Sequence, residues 1–304
     1  MSLFRASIFL CLISVASACG RDEKIQRPSG SSSGVPALPA PPSRFAATGW
    51  PEDAGPVLVM PGSSPQEVRI VLPDLTDKTL SDTSSFELDS LPNAAVTLFS
   101  QAHPSVHATV AVGGSEEVVR GCKTWPAARL VSYPGNQWRF GLAENSARDL
   151  PLLGWGESLA PDSVHAAQEV VRIASRGTTD SVFSGIPFAV RFIHRLELGN
   201  SRAVVAGVVR RINTEANVRE QHVLVIAEKP GSSSRYAAAF RETYAGGEDE
   251  VRVPELLGAV LLGENRRASV LVSLEHSEGM RLLLIERQRA GSWSLRWRSA
   301  YTGC

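Results

Sequence analysis

The chain has 304 residues, with 31 Lys+Arg against 31 Asp+Glu and a formal net charge of +0. No bulk field steers it toward nucleic acid or an acidic partner, so nucleic acid is excluded as an expected partner. Hydrophobic residues make up 43% of the chain, enough for a packed core, and the length beyond the N-terminal segments suits one large domain or two modest ones.

The N-terminus reads as an export signal over residues 1–18. Met1 to Arg5 gives a basic start, Ala6 to Val15 an apolar core, and Ala16-Ser17-Ala18 small residues before a cut site. The apolar run is about half the ~20 residues a transmembrane helix needs, and Arg21, Asp22, Glu23 and Lys24 follow at once. Cys19 stands directly after the small residues, and Ala16-Ser17-Ala18-Cys19 resembles the lipobox of bacterial lipoproteins. The resemblance implies cleavage before Cys19, diacylation of its thiol and anchorage by fatty chains, each buried CH₂ contributing ~0.8 kcal/mol. It also implies a place in the cell envelope. In the enterobacterial version of that family an Asp after the Cys retains the protein in the inner membrane. Gly20 stands here, so the expectation is the outer membrane, on its periplasmic or surface face. The alternative is an ordinary secretory signal cut near Ala18, with Cys19 a plain thiol.

Four cysteines occur, and Cys11 leaves with the signal. With Cys19 as the lipid site, Cys122 and Cys304 remain as one pair in an oxidising compartment, and a disulfide between them is expected.

Residues 19–49 hold almost no large apolar side chains. Pro28 to Gly34 is a flexible Ser/Gly-rich coil and Pro36 to Pro42 a stiffer, extended one, so the stretch reads as a tether. The folded part is expected from Trp50. Residues 50–130 read as a β-rich region: a strand near Pro56–Met60, a turn over Pro61–Pro65, a returning strand Glu67–Leu72, and a second pair at Ala94–Phe99 and Val106–Val112. A small sandwich or half-barrel layer follows from that pattern.

Residues 131–304 read as a helix followed by a β-meander, continuous with the first region or separate from it. The spacing predicts a helix over Asp162–Arg176, with Asp162 as cap and Val164, Ala167, Val171 and Ala174 as the apolar stripe. Strands follow near Phe188–Ile193, Ala203–Ile212, Glu220–Ala227, Tyr236–Arg241, Leu256–Leu262, Ala268–Leu274 and Met280–Arg287. In the last strand Trp293, Leu295 and Trp297 alternate and should share the core face. The fold class is therefore mainly β, an antiparallel meander or sandwich with one amphipathic helix, with α+β as the fallback. Residues 256 to 301 also resemble the four-stranded repeats of FG-GAP-like β-propellers, which implies consecutive strand order. The loop where that family binds calcium reads Leu262-Gly263-Glu264-Asn265-Arg266-Arg267, with arginines in place of carboxylates.

Candidate chemistry is sparse. His103 and His107 have a metal-like spacing, but Pro104 argues against the helix that would bring them together. No metal site, cofactor or catalytic residue is assigned. No Gly-x-Ser-x-Gly motif occurs, and Gly154-Trp155-Gly156 reads as packing. Glu144, Asp149, Glu157 and Asp162 crowd the approach to the helix; paired carboxylates of a glycosidase meet only in space and remain open. Trp125, Trp138 and Trp155 are sugar-stacking candidates that a β-rich domain more often keeps in its core. Arg281, Arg287, Arg289, Arg296 and Arg298 lie among acidic residues and read as a balanced, salt-bridged surface. Arg210, Arg211, Asn213, Glu215 and Asn217 form a possible recognition edge around a hairpin tip.

The leading functional reading is a non-enzymatic envelope lipoprotein, a tethered module that binds another envelope protein or a polysaccharide or serves assembly. A hydrolase of polysaccharide or peptide and a small-ligand carrier are the alternatives. A cleft with two carboxylates would favour the hydrolase, and an apolar cavity the carrier.

Overall fold

A computed structural model describes residues 58–74, 94–101, 104–111, 124–131, 137–154, 160–176, 180–213, 218–233, 235–277 and 279–304. The signal, the tether, Cys19, His103, Cys122, Trp155, Glu157, Glu215 and Asn217 lie outside these residues. Everything described belongs to one compact unit, Pro41–Cys304. The fold is mainly β, antiparallel throughout, with a single α-helix among the described residues.

The first strands are β1 (Leu58–Pro61), β2 (Glu67–Val71), β3 (Ala94–Phe99), β4 (Val106–Ala111), β5 (Ala127–Leu130) and β6 (Phe140–Ala143). They close into a barrel in the order β1-β2-β5-β4-β3-β6. Closure depends on β6, which bonds to β1 on one side and β3 on the other. The barrel therefore draws a strand from beyond residue 130, and the expected half-barrel is a complete one. Period-two alternation sorts its side chains: Val59, Val68, Ile70, Val96, Leu98, Val110 and Leu130 fill the interior with Trp138.

The second region supplies β7 (Ala147–Asp149), α1 (Ala160–Ser175), β8 (Ala189–Glu197), β9 (Ser201–Ile212), β10 (Arg219–Pro230), β11 (Ala237–Gly247), β12 (Val253–Leu262), β13 (Arg267–His276), β14 (Gly279–Arg289), β15 (Ser292–Arg298) and β16 (Thr302–Gly303). β8 to β11 form one meander in consecutive order. β12 to β15 form a second, extended by β7 beside β12 and by β16 beside β14. The two meanders stack face to face: Leu196, Val205, Leu224 and Ile226 of the first meet Leu256, Val270, Val272 and Ile285 of the second.

Each meander is covered on its far side as well. Val170, Ile173 and Ala174 of α1 pack on Val204, Val208, Val223 and Val225. The outer barrel wall, through Met60, Val71, Phe99, Phe140 and Leu142, packs on Leu257, Val260, Leu271, Leu282 and Leu284. The order is helix, sheet, sheet, barrel. Central strands buried on both faces need apolar residues at every position, and that is why β9, β10, β13 and β14 read as unbroken apolar runs.

Two sequence expectations require correction. The helix stripe is Ala166, Val170, Ile173 and Ala174, whereas Val164 is 52% exposed. A lone 16-residue helix is marginal in water, so the sheet beneath it selects the face. Asp162 lies inside the first turn, and its Oδ2 accepts from Arg202 Nη1 at 3.3 Å. The second correction concerns β15. Trp293 and Leu295 face the sandwich core, but Trp297 packs toward the barrel. The register between β14 and β15 shifts at Leu284/Ile285, where Leu284 pairs with Trp297 and Ile285 with Leu295. An inserted residue turns the next side chain to the opposite face.

Candidate functional site

Where the barrel meets the second meander, a cavity of about 330 Å³ opens to the surface. It is lined from separate segments: Phe99, Ser100 and Gln101 at the end of β3, Pro104, Phe140 at the start of β6, Asp149 to Leu152 at the end of β7, and Gly258 and Ala259 in β12. Ligand sites typically begin at ~300 Å³.

Beneath its floor lies a buried aromatic pair, each residue 2% exposed. Phe99 and Phe140 pair across the β3–β6 ladder and stack with centroids 5.1 Å apart and planes 15° apart. Gly258 makes room for them. It follows a register shift between Leu256 and Gly258, and a Cβ there would sit 2.6 Å from Phe140 Cε1. Leu150, Leu152 and Ala259 complete the apolar wall.

Its rim is polar and rich in acceptors. Asp149 Oδ2 accepts from the Ser105 amide at 3.2 Å and the Ser105 hydroxyl at 2.6 Å. Gln101 Nε2 donates to Leu256 O at 3.0 Å, a carbonyl that also accepts from Arg139 Nη1 at 3.2 Å. That bond fixes the amide orientation, since only the nitrogen can donate to a carbonyl.

Two buried polar groups stand elsewhere in the sandwich. The Glu228 carboxylate is enclosed between the meanders. Its Oε1 accepts from Ser201 Oγ at 2.8 Å and Arg287 Nη2 at 2.6 Å, and its Oε2 from Trp293 Nε1 at 2.9 Å. Burial alone would raise its pKa, but the hydrogen bonds from Arg287, Trp293 and Ser201 outweigh it, and the carboxyl lies below its usual range. Facing the same way on β10, His222 has Nε2 2.8 Å from Glu220 Oε2. Its Nδ1 is buried without a partner. Desolvation lowers its pKa despite Glu220, so the ring is favoured neutral, donating from Nε2 to Glu220.

The residues singled out from sequence scatter. Arg210 is 8% exposed; its Nε donates to Gln221 Oε1 at 2.7 Å, its Nη1 to Phe183 O at 2.8 Å, and its guanidinium lies over Phe183 and Phe188. It anchors the 3₁₀ turn at Ser181–Phe183 to β9. Arg211 is exposed and pairs with Glu220 and Glu248, and Asn213 is exposed. His107 pairs with Glu144 at 3.2 Å on the surface. Trp125 and Trp138 are core residues. Of the described acidic residues before the helix, Asp149 alone lines this cavity. Among the described residues, no group of three or more His, Cys, Asp or Glu is placed to hold a metal ion, and no helix is long and apolar enough to cross a membrane. The cavity itself carries no sequence spacing, because its parts meet only through barrel closure.

The fold and site thus describe an antiparallel β protein with a ligand-sized pocket at a barrel–sandwich junction. No protein family matches the chain, and no curated protein or solved structure matches it at a significant level.

Proposed function

We propose that this is a non-enzymatic, lipid-anchored envelope protein whose folded part binds a small ligand, or a short segment of a partner, at the barrel–sandwich junction. The observation that carries the reading is the cavity of about 330 Å³, with an apolar wall and a short polar rim. An apolar body would bury against Leu152, Pro104 and Pro151, while the rim fixes its orientation. Asp149 is the one carboxylate lining this cavity among the described residues, and Ser105 already occupies one of its oxygens. Glycoside hydrolysis typically uses two carboxylates flanking the bond, so binding suits the site better than glycoside hydrolysis.

The anchor is part of the same proposal. Lipidation at Cys19 would hold the pocket at the outer membrane on a tether of residues 19–49. The natural chain should fractionate with membranes and incorporate labelled palmitate, and Cys19→Ser should release it into the soluble fraction. Membrane association unchanged in that variant, with no label in the natural chain, would refute the anchor.

The pocket is tested with ligand-observed NMR on the purified chain, using small aromatic fragments. Binding should be lost in Leu152→Arg, which places a charge in the apolar wall. Fragment binding unaffected by that change would refute this pocket as the site.

A further inference from the structure

We infer that the pocket selects small amphiphilic amines: a cationic ammonium carried on a compact apolar or aromatic body. The inference rests on the pocket being a ligand site and adds the chemical class of the ligand.

The argument is an inventory of hydrogen-bonding groups at the rim. Asp149 uses Oδ2 to accept both bonds from Ser105, at 3.2 and 2.6 Å. An ionised carboxylate can only accept, and these two bonds leave Oδ1 as further acceptor capacity. Gln101 uses one N–H of its amide on Leu256 O at 3.0 Å, which leaves it a second N–H and the acceptor Oε1. The carboxylate of Asp149 therefore sets the sign of the rim: a cationic donor head matches it, whereas a carboxylate or phosphate head would meet like charge. A positive charge adds attraction to Asp149, and a charge-assisted hydrogen bond is roughly twice as strong as a neutral one.

Among the described residues, the basic groups nearby do not reverse that sign. Arg139 is an exposed residue whose Nη1 is engaged with Leu256 O, and Arg148 is exposed; neither lines the cavity. The apolar wall adds a second preference. Leu152, Pro104 and Pro151 present its accessible apolar surface, over the buried Phe99–Phe140 stack, and fit an aryl or short alkyl body.

The test compares three probes of similar shape and different head: phenethylamine, 2-phenylethanol and 3-phenylpropanoate. Binding to the purified chain is followed by saturation-transfer NMR and titration calorimetry. Phenethylamine should bind at least tenfold more tightly than the alcohol, and the carboxylate most weakly. Asp149→Asn keeps an acceptor toward Ser105 and removes the charge. It should reduce the amine to the affinity of the alcohol and leave the alcohol unchanged. Rising salt should weaken the amine alone, a readout that needs no variant and no refolding. Equal binding of amine and alcohol, or an amine affinity unchanged in Asp149→Asn, would overturn the inference while leaving the pocket intact. Failure of all three probes to bind would overturn the pocket reading with it.

Discussion

Glu228→Ala is expected to lower folding stability by about 3–5 kcal/mol, the usual cost of removing one member of a buried charged pair. The Glu228 side chain is 1% exposed and Arg287 is 23% exposed, so solvent screens the pair little. The carboxylate ties β10 to β14 and β15 across the sandwich, since Arg287 and Trp293 both donate to it. Alanine would leave the guanidinium, the indole N–H and the Ser201 hydroxyl facing a void. Urea unfolding at neutral pH measures the loss, and a change under 1 kcal/mol would contradict the assigned role. A Glu228→Leu, Arg287→Met double variant should recover much of it, because it removes both charges together. Acid titration provides a second check. The folded carboxyl lies below its ordinary value. Its contribution is therefore complete above the unfolded pKa near ~4.3 and is lost as pH falls through the lower folded value. The natural chain should lose stability across that interval faster than Glu228→Ala. Some slope remains in the variant, because hydrogen bonds from Ser63 and Arg172 also hold Glu67 and Glu169 below the usual range.

Most strands were legible because their physics is local. Alternation and turn residues located β1 to β4 and the strands from β8 to β15 within a few residues, except that β11 runs on from the expected Arg241 to Gly247. β5, β6 and β7, at 4, 4 and 3 residues, are too short to show a period, yet β6 closes the barrel and β7 widens the second sheet. The helix was legible as an element but not in its buried face, since Val164, Val170, Val171 and Ile173 offer competing stripes until a sheet covers one of them. Trp297 could not be assigned to a face without the register shift. The arginines of the last strands are partly the balanced surface their neighbours implied, with Arg281 paired to Asp74 and Arg298 to Glu242. Arg287 departs from it because its carboxylate partner is on β10, 59 residues earlier. The pocket shares that difficulty: Gln101 and Leu256 are 155 residues apart in sequence.

Reduction of the proposed Cys122–Cys304 bridge, or Cys304→Ser, is expected to lower stability by about 2–5 kcal/mol and to loosen the C-terminal strand. Cys122 lies outside the described residues, which resume at residue 124. Trp125, three residues after it, donates its indole N–H to Ala300 O at 3.1 Å, and Ala300 is four residues before Cys304. Stretches that short, at no more than ~3.6 Å per residue, can bring the two Cα atoms within the ~7 Å a disulfide allows. The tail is also held by other bonds. Ala300 N donates to Leu72 O at 2.8 Å, Ser299 Oγ accepts from the Leu282 amide at 2.8 Å, and β16 pairs with Gly279 and Met280. These bonds place the loss in the lower half of the range, because the reduced chain keeps its terminal strand registered against β14. The effect should appear first as faster hydrogen exchange at Thr302 and Gly303, with β14 itself still protected. Thiol counting on the denatured, unreduced Cys19→Ser chain, after signal removal, decides the question: no free thiol supports the bridge, and two free thiols refute it.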